Sequence, residues 1–234
     1  MQNKTFVIVG GSSGIGLEIT KKLLEAGDRV IVYSRTDSGL KGLPGVEHQP
    51  LDVLDDEIKL NGFPDIIDGL VYCPGTINLK PFRRLIEADF LHDFRVNVTG
   101  AVKVIQQAYN ALRKSDQASV VLFSTVAVQL GMNFHSSVAA SKGAVEGLVR
   151  SLAAEFSPKI RVNAIAPSLT DTPLAAGLLA GEARQKASAE MHPLKRYGNP
   201  SDIASAAVFL LNPSSSWITG QVLHVDGGLS ALKV

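Results

Sequence analysis

The chain has 234 residues, of which 45% are hydrophobic and 19% are charged, and its formal net charge is +1. This composition suits one large buried core and differs from that of disordered chains, which combine low hydrophobicity with high net charge. The charges form no basic or acidic block, which argues against nucleic acid and anionic membranes as partners.

The cysteine content and the amino-terminal sequence indicate a compartment. Cys73 is the only cysteine, so it can form neither an internal disulfide nor a cysteine-based metal site. We therefore expect no metal and a reducing environment. The first apolar run, residues 6–9, ends at Gly10 and is too short for a signal peptide or a membrane span. These features favour a cytoplasmic protein.

Apolar, β-branched segments alternate with helical patterns along the chain. Most of the strand-like segments are apolar on both faces, as expected of strands that helices cover on both sides. The alternation predicts an α/β fold of the Rossmann type, with a doubly wound parallel sheet in a single domain spanning residues 1–234. The predicted strands are 5–10, 29–34, 69–73, 119–125, 160–167 and 220–226, a further strand is closed by 50–56, and the predicted helices are about 15–26, 88–113, 138–156 and 201–211.

Residues 168–198 interrupt this alternation. The segment is long, rich in Ala and Gly, helical in places, and follows a strand end, where ligands bind in such sheets. We interpret it as a substrate lid. It is apolar apart from Arg184 and Lys186, which admits a hydrophobic substrate with an anionic handle but equally describes a plain amphipathic helix.

Residues 7–27 read as a strand, a glycine-rich turn and an amphipathic helix, with glycines at 10, 14 and 16. A dinucleotide requires a tight turn, a backbone close to the pyrophosphate and a helix N-terminus directed at the anion. A turn with only a packing role is the alternative, but the position between the first strand and the first helix favours dinucleotide binding. The cofactor-binding residues expected in this turn are Gly10, Ser12, Ser13, Gly14 and Ile15.

The end of the second strand indicates which dinucleotide is bound. A carboxylate there would bind the adenosine ribose and repel a 2′-phosphate, whereas this chain has Ser34 and Arg35. A guanidinium suits phosphate, so the residues favour NADP(H), with an ordinary surface arginine as the alternative. Further along, Asp52 and the Val53 backbone are candidates to contact the adenine, although Asp52 equally suits a capping role.

Several motifs occur in one order along nearly the whole chain. They are the glycine pattern of 10–16, the pair at 52–53, and the segments VNVTG (96–100), ASKGAVEGLVRSLAAEF (140–156), IRVNAIAP (160–167), DTPL (171–174), HPLKRYGNPSDIA (192–204) and WITGQVLHVDGG (217–228). In this combination the chain resembles the short-chain dehydrogenase/reductase family. The resemblance implies a nicotinamide cofactor, here NADP(H), a small-molecule substrate, and a homodimer or homotetramer. It also implies cofactor contacts for Pro74, Gly75, Pro167, Thr170 and Thr172, although YCPG (72–75) stands where the family usually has NNAG.

The catalytic residues of that family are matched only in part. The resemblance implies that Lys142 binds the nicotinamide ribose, that Asn97 holds a relay water, and that Thr125 replaces a serine that steadies the substrate carbonyl. The family's tyrosine, four residues before the lysine, exchanges a proton with the substrate oxygen. Val138 occupies that position, and a valine exchanges no proton. We therefore interpret the chain as an atypical member that lacks the catalytic tyrosine.

Two residues are candidates for the missing acid. Tyr72 stands at a strand end on the cofactor side. His135 lies seven residues before Lys142, so a helix that starts early enough would place both on one face, and histidine titrates in a useful range. An exposed loop histidine is the alternative. Enoyl-thioester reductases that resemble this family also place their tyrosine seven residues before the lysine.

The sequence thus supports two functional hypotheses. The first is an NADPH-dependent reductase of a small carbonyl compound or an activated alkene, which uses Asn97, Thr125, Lys142 and a non-standard acid. The second is a non-catalytic NADP(H)-binding protein, such as a redox sensor or a scaffold subunit, in which Val138 marks lost catalysis.

Overall fold

The computed structural model describes residues 4–233. They form one seven-stranded parallel sheet in the order β3-β2-β1-β4-β5-β6-β7. The strand order reverses between β1 and β4, so these strands flank the crevice in which such sheets bind ligands. The strands are β1 Thr5–Val9, β2 Arg29–Ser34, β3 Val46–Pro50, β4 Gly69–Tyr72, β5 Ala118–Phe123, β6 Ile160–Pro167 and β7 Val222–Val225. The helices are α1 Gly14–Glu25, α2 Glu87–Phe94, α3 Gly100–Arg113, α4 Ala127–Leu130, α5 Ser136–Phe156, α6 Glu182–Met191 and α7 Pro200–Leu211.

Helices cover both faces of the sheet, which explains why its strands are apolar on both sides. On β1, Val7 and Val9 belong to the core formed with α3 and α5. Phe6 and Ile8 belong to the opposite core, formed with α1 and α7. Each fully buried side chain of this size contributes about 1.5–3 kcal/mol, so the two cores dominate the stability of the sheet. The predicted Rossmann-type, doubly wound fold is confirmed.

The predicted helix over 88–113 has an unpredicted interruption. Between α2 and α3, residues Arg95–Thr99 form a π-helical segment, in which the Gly100 N–H donates to the Arg95 carbonyl oxygen. The widened turn leaves the Val96 carbonyl oxygen to accept a hydrogen bond of 2.6 Å from the Tyr72 hydroxyl. Gly100 has to be glycine because a Cβ there would lie 2.3 Å from that hydroxyl. Such segments are frequent at functional sites, and this one carries Asn97.

The segment interpreted as a lid has its own short helices. After β6, residues Pro173–Leu178 form a 3₁₀ helix, which α6 follows. A parallel bridge between Thr170 and Gly198 ties the two ends of the segment together. No helix within residues 4–233 is long and apolar enough to cross a membrane.

Candidate active site

The turn between β1 and α1 has the geometry that a pyrophosphate requires. Gly10 and Gly14 adopt φ angles of +78° and +52°, which L side chains rarely adopt. A Cβ on Gly16 would lie 2.3 Å from the Gly10 carbonyl oxygen, so the start of α1 packs directly on the turn. Ser13, the N-cap, makes no side-chain capping bond, which leaves the first N–H groups of α1 available to an anion. These residues fit a dinucleotide.

The end of β2 presents one free cation. The Ser34 hydroxyl is buried, donates to the Thr36 carbonyl oxygen at 2.8 Å, and lies 3.0 Å from His48 Nε2. Arg35 is exposed, and its guanidinium makes no hydrogen bond or ion pair within the described residues. Because the chain itself engages the Ser34 hydroxyl, Arg35 is the group at this strand end that is best placed to bind a 2′-phosphate.

Asp52 and Val53 lie on the turn that follows β3. Asp52 Oδ1 accepts a hydrogen bond of 2.9 Å from the Leu54 N–H. This contact closes a turn and does not cap a helix, because no helix begins there. The Val53 side chain is half-buried against the core on the α3 face. The backbone of Val53 is therefore the part of this residue that is available to an adenine.

A cavity of about 390 Å³ lies beside the glycine turn and under the lid. Of the residues predicted to contact cofactor, it is lined by Ile15, Gly75, Pro167, Thr170 and Thr172. A second cavity of about 380 Å³, lined by His192, Arg196 and Asp226, contains none of the predicted catalytic residues. The first cavity is therefore the candidate active site.

Lys142 and Asn97 converge on one point near this cavity. Lys142 is 7% exposed, and its Nζ donates to the Phe123 carbonyl oxygen at 2.9 Å. Asn97 Nδ2 donates to Thr76 Oγ1 at 3.1 Å and to Ser141 Oγ at 2.9 Å. These two hydrogen bonds fix the orientation of the Asn97 amide. A Cβ on Gly75 would lie 3.5 Å from both Asn97 Oδ1 and Lys142 Nζ, so both atoms face the same spot.

Thr125, Val138 and His135 line the cavity together with Lys142. The Thr125 hydroxyl oxygen accepts a hydrogen bond of 3.3 Å from the Ala127 N–H, which leaves its O–H free to donate. Val138 lies one turn before Lys142 on α5 and is 5% exposed. His135 is the N-cap of α5, so it does share the cavity face with Lys142.

Comparison with known proteins identifies the family. A family model described as enoyl-(acyl carrier protein) reductase matches residues 9–230. The chain is 31% identical to the 3-oxoacyl-[acyl-carrier-protein] reductase MabA of Mycobacterium bovis over 97% of this chain and 93% of the relative. It superposes on a short-chain type dehydrogenase/reductase from Mycobacterium ulcerans with a TM-score of 0.89 and 27% identity, over 98% of this chain and 90% of the other. The chain belongs to the short-chain dehydrogenase/reductase family.

Other members of the short-chain dehydrogenase/reductase family are equally similar and differ in their named activities. The L-xylulose reductase of Bos taurus is 32% identical over 96% of each chain. A structure of a tyrosine-to-phenylalanine variant of ElxO with NADPH bound has a TM-score of 0.87 and 27% identity, over 99% of this chain and all of the other. The named reductases among these relatives act on different substrates, so membership of the family does not identify a substrate for this chain.

In this short-chain dehydrogenase/reductase, Tyr72 is not a substitute acid. Its hydroxyl donates a hydrogen bond to the Val96 carbonyl oxygen, and the side chain does not line the cavity. Burial also raises the pKa of the phenol well above its usual range. Tyr72 does stand at the end of β4, but its side chain points into the core and supports the π-helical segment, so it is not available as the acid.

We expect Tyr72→Phe to lower the free energy of unfolding by about 1–2 kcal/mol, because the buried Val96 carbonyl loses its partner. Urea unfolding measures this loss. Oxidoreductase turnover per folded molecule should stay within a factor of about three, since the phenol does not contact the cavity. Loss of turnover without loss of stability would contradict this assignment.

One buried polar contact of the site was missed from the sequence. Ser124, which lines the cavity, donates to Glu146 Oε1 at 2.7 Å. Glu146 is 5% exposed, and its carboxylate lies 4.0 Å from the Arg150 guanidinium, which is too far for a hydrogen bond. The surface ion pair that their spacing suggests is therefore a minor contact. Cys73 also lines the cavity, and burial raises the pKa of its thiol to about 12, which makes it unreactive.

The buried lysine makes stability depend on pH. Burial lowers the pKa of Lys142 to about 8 from its ordinary 10.5. Below about pH 8 the amine is charged in both the folded and the unfolded state, so the fold bears the full desolvation penalty. That penalty disappears as the pH rises from about 8 to 10.5, because the folded state loses its proton first.

We therefore expect Lys142→Met to be more stable than the wild type at neutral pH, by up to about 3 kcal/mol. The difference should vanish near pH 10.5, the ordinary pKa of the amine. Urea unfolding of both proteins across this pH range measures the difference, in which titrating groups remote from Lys142 cancel. A difference that does not change with pH would contradict a lowered pKa.

Proposed function

We propose that this chain is an NADP(H)-dependent oxidoreductase that reduces a small apolar carbonyl compound or activated alkene with an acid other than tyrosine. The observation that supports this most is the cavity in which Lys142, Thr125 and His135 meet beside the glycine turn. In the proposed site, Val138 replaces the tyrosine of the family, so the proton has to come from another group.

His135 is the group that the geometry favours as this acid. Its Nδ1 lies 2.7 Å from the Asn133 carbonyl oxygen, so Nδ1 carries a hydrogen and Nε2 is left for exchange. The side chain lines the cavity and is half-exposed, which allows it to regain a proton from water. Imidazole is the commonest general acid in enzymes.

Each residue then has a defined task. When bound, NADPH supplies the hydride. The Thr125 hydroxyl donates a hydrogen bond to the substrate oxygen, and the Lys142 ammonium group stabilises the negative charge that develops there. His135 Nε2–H gives the proton, so the substrate gains one hydride and one proton, and water reprotonates the imidazole.

The lining of the cavity supports an uncharged, apolar substrate. The lid contributes Leu174, Ala175, Leu178 and Met191. Within the described residues, Lys142 and His135 are the only basic side chains that line the cavity, and no acidic side chain does. The anionic handle considered for the lid is not supported, because Arg184 and Lys186 do not reach the cavity.

The choice of NADP(H) rests on Arg35. We expect Arg35→Ala to weaken NADPH binding by about 10–100-fold, because one charge-assisted contact with phosphate contributes about 1.5–3 kcal/mol. NADH binding should not change. Fluorescence titration with both nucleotides measures the effect, and Arg83→Ala, which removes another exposed arginine, is the control. Equal losses for NADPH and NADH would contradict recognition of a 2′-phosphate by Arg35.

A cofactor-binding protein without turnover is the second candidate, and the observation that favours it is Val138. Wild-type protein with NADPH is tested against apolar ketones, enoyl thioesters and sugars, and oxidation is followed by the loss of nicotinamide absorbance. Turnover restricted to the apolar substrates supports the reductase. Tight NADPH binding without oxidation supports the second candidate, and a gain of ketone reduction in Val138→Tyr would then show that the site lacks only the phenol.

A further inference from the structure

Asp93 is a buried carboxylate that has no task in the proposed reaction. It lies on α2, is fully buried, and neither of its oxygens has a hydrogen-bond partner within residues 4–233. A buried carboxylate is unfavourable by several kcal/mol unless it is paired, hydrated or protonated. A side chain with this penalty in a well-packed helix pair requires an explanation.

Most of the unpartnered buried atoms lie on segments that pack against one another. Of five such buried side-chain atoms in the described part of the chain, four belong to Asp93, Asn97 and Ser137. Helices α2 and α5 pack together, and Asn97, in the π-helical segment that continues α2, donates to Ser141 Oγ on α5. Asp93 precedes Asn97 by four residues, and Ser137 precedes Ser141 by four residues, which is about one helical turn in each case. The two helices follow parallel strands and run in the same direction, so Asp93 and Ser137 lie at the same level.

Donors and acceptors among these groups do not balance. The Asp93 carboxylate and Asn97 Oδ1 only accept hydrogen bonds, and the Ser137 hydroxyl offers a single hydrogen. Water supplies two hydrogens, and buried water typically joins polar groups that lack other partners. Asn97 Oδ1 connects these groups to Lys142, because Asn97 Oδ1 and Lys142 Nζ face the same point near Gly75.

We propose that Asp93, Asn97 and Ser137 form a buried site that binds ordered water and couples the Asp93 carboxylate to the Lys142 ammonium group, which makes Asp93 a positioning residue for that lysine. A relay water on Asn97 is implied by the family; the counter-charge on Asp93 and the site at Ser137 are additional. The role of Lys142 rests on the proposed function, but the coupling itself does not.

Charge supports this coupling. The titratable groups around Lys142 are Cys73 at the end of β4, Asp93 on α2, and His135 and Glu146 on its own helix. Burial lowers the pKa of Lys142, while the Cys73 thiol and the Asp93 carboxylate act in the opposite direction. Burial raises the pKa of the Cys73 thiol to about 12, so the thiol is neutral near pH 7 and supplies no counter-charge to Lys142.

The test uses the full chain without cofactor. Lysine side-chain resonances of protein labelled at lysine Cε and Nζ are followed by NMR across pH, and Lys142→Arg assigns the signal of Lys142. We expect Asp93→Asn, which keeps the shape of the side chain, to lower the titration midpoint of Lys142 by about one pH unit or more. Ser137→Ala, which keeps the carboxylate, should produce a smaller change. An unchanged midpoint in Asp93→Asn would overturn the coupling.

A measurement on the wild type keeps the test independent of whether the variant folds. The carboxyl carbon of Asp93, labelled with carbon-13, reports its charge at neutral pH. An ionised carboxylate, together with long-lived water signals to Ser137, is the expected result. A protonated carboxyl group would overturn the proposal. Because neither measurement involves turnover, failure of the reductase assay and failure of this coupling are separate outcomes.

Discussion

Replacing His135 with alanine is expected to lower kcat for reduction by about 10²–10⁴-fold, the range that a general acid contributes. The side chain lines the cavity with Lys142, and its Nε2 is the exchangeable nitrogen there. NADPH affinity should change little, because His135 lies on the substrate side. Added imidazole should restore part of the rate, since it can fill the space of the missing ring.

The matched control is His92→Ala, which removes an exposed histidine from α2. This variant should keep the wild-type rate. Retention of the full rate in His135→Ala, or a loss that imidazole does not restore, would remove His135 as the acid. Lys142, through a bound water, would then be the next residue to test.

Replacing Gly16 with alanine is expected to abolish measurable NADPH binding and to destabilise the fold by about 3 kcal/mol. The new Cβ would lie 2.3 Å from the Gly10 carbonyl oxygen and 3.1 Å from the Gly11 Cα. Backbone atoms cannot yield as a flexible side chain can, so the start of α1 has to move away from the turn. Fluorescence titration and urea unfolding measure the two effects.

Gly147→Ala is the matched control for this substitution. Gly147 lies in α5, and a Cβ there would contact nothing within 4 Å. That variant should be more stable than the wild type, by about 0.5–1 kcal/mol, because alanine favours the helix. NADPH binding by Gly16→Ala at the wild-type affinity would contradict the role given to this turn.

The sheet and the glycine turn could be predicted because their signals are local. Residues 5–9 are apolar on both sides of a short strand, and the positive-φ positions Gly10 and Gly14 are occupied by the residue that tolerates them. The spacing of Val138 and Lys142 likewise predicted that both lie on one face of a helix. That helix begins at Ser136, two residues before the predicted start.

The rest depends on contacts between distant segments. Residues 95–99 read as continuous helix because their π-helical form is supported by Tyr72, which lies on another element. The side to which Tyr72 points could not be deduced from a strand that is apolar on both faces. Asp93 read as a polar helix residue and is buried only because α5 packs on α2. The contacts of the Ser34 hydroxyl could not be deduced from β2 alone, because one of its two partners, His48, belongs to the neighbouring strand β3.

We propose that this cavity transfers hydride from NADPH to an apolar substrate although Val138 replaces the tyrosine. The most direct test is a reaction of wild-type protein with NADPH deuterated at the transferable position of the nicotinamide ring and an apolar ketone or enoyl thioester. Mass spectrometry of the product then measures isotope transfer. One deuterium per reduced product molecule, at a rate that falls in His135→Ala, is the predicted result. Protein that binds NADPH tightly and yields no deuterated product with either substrate class would contradict hydride transfer in this cavity.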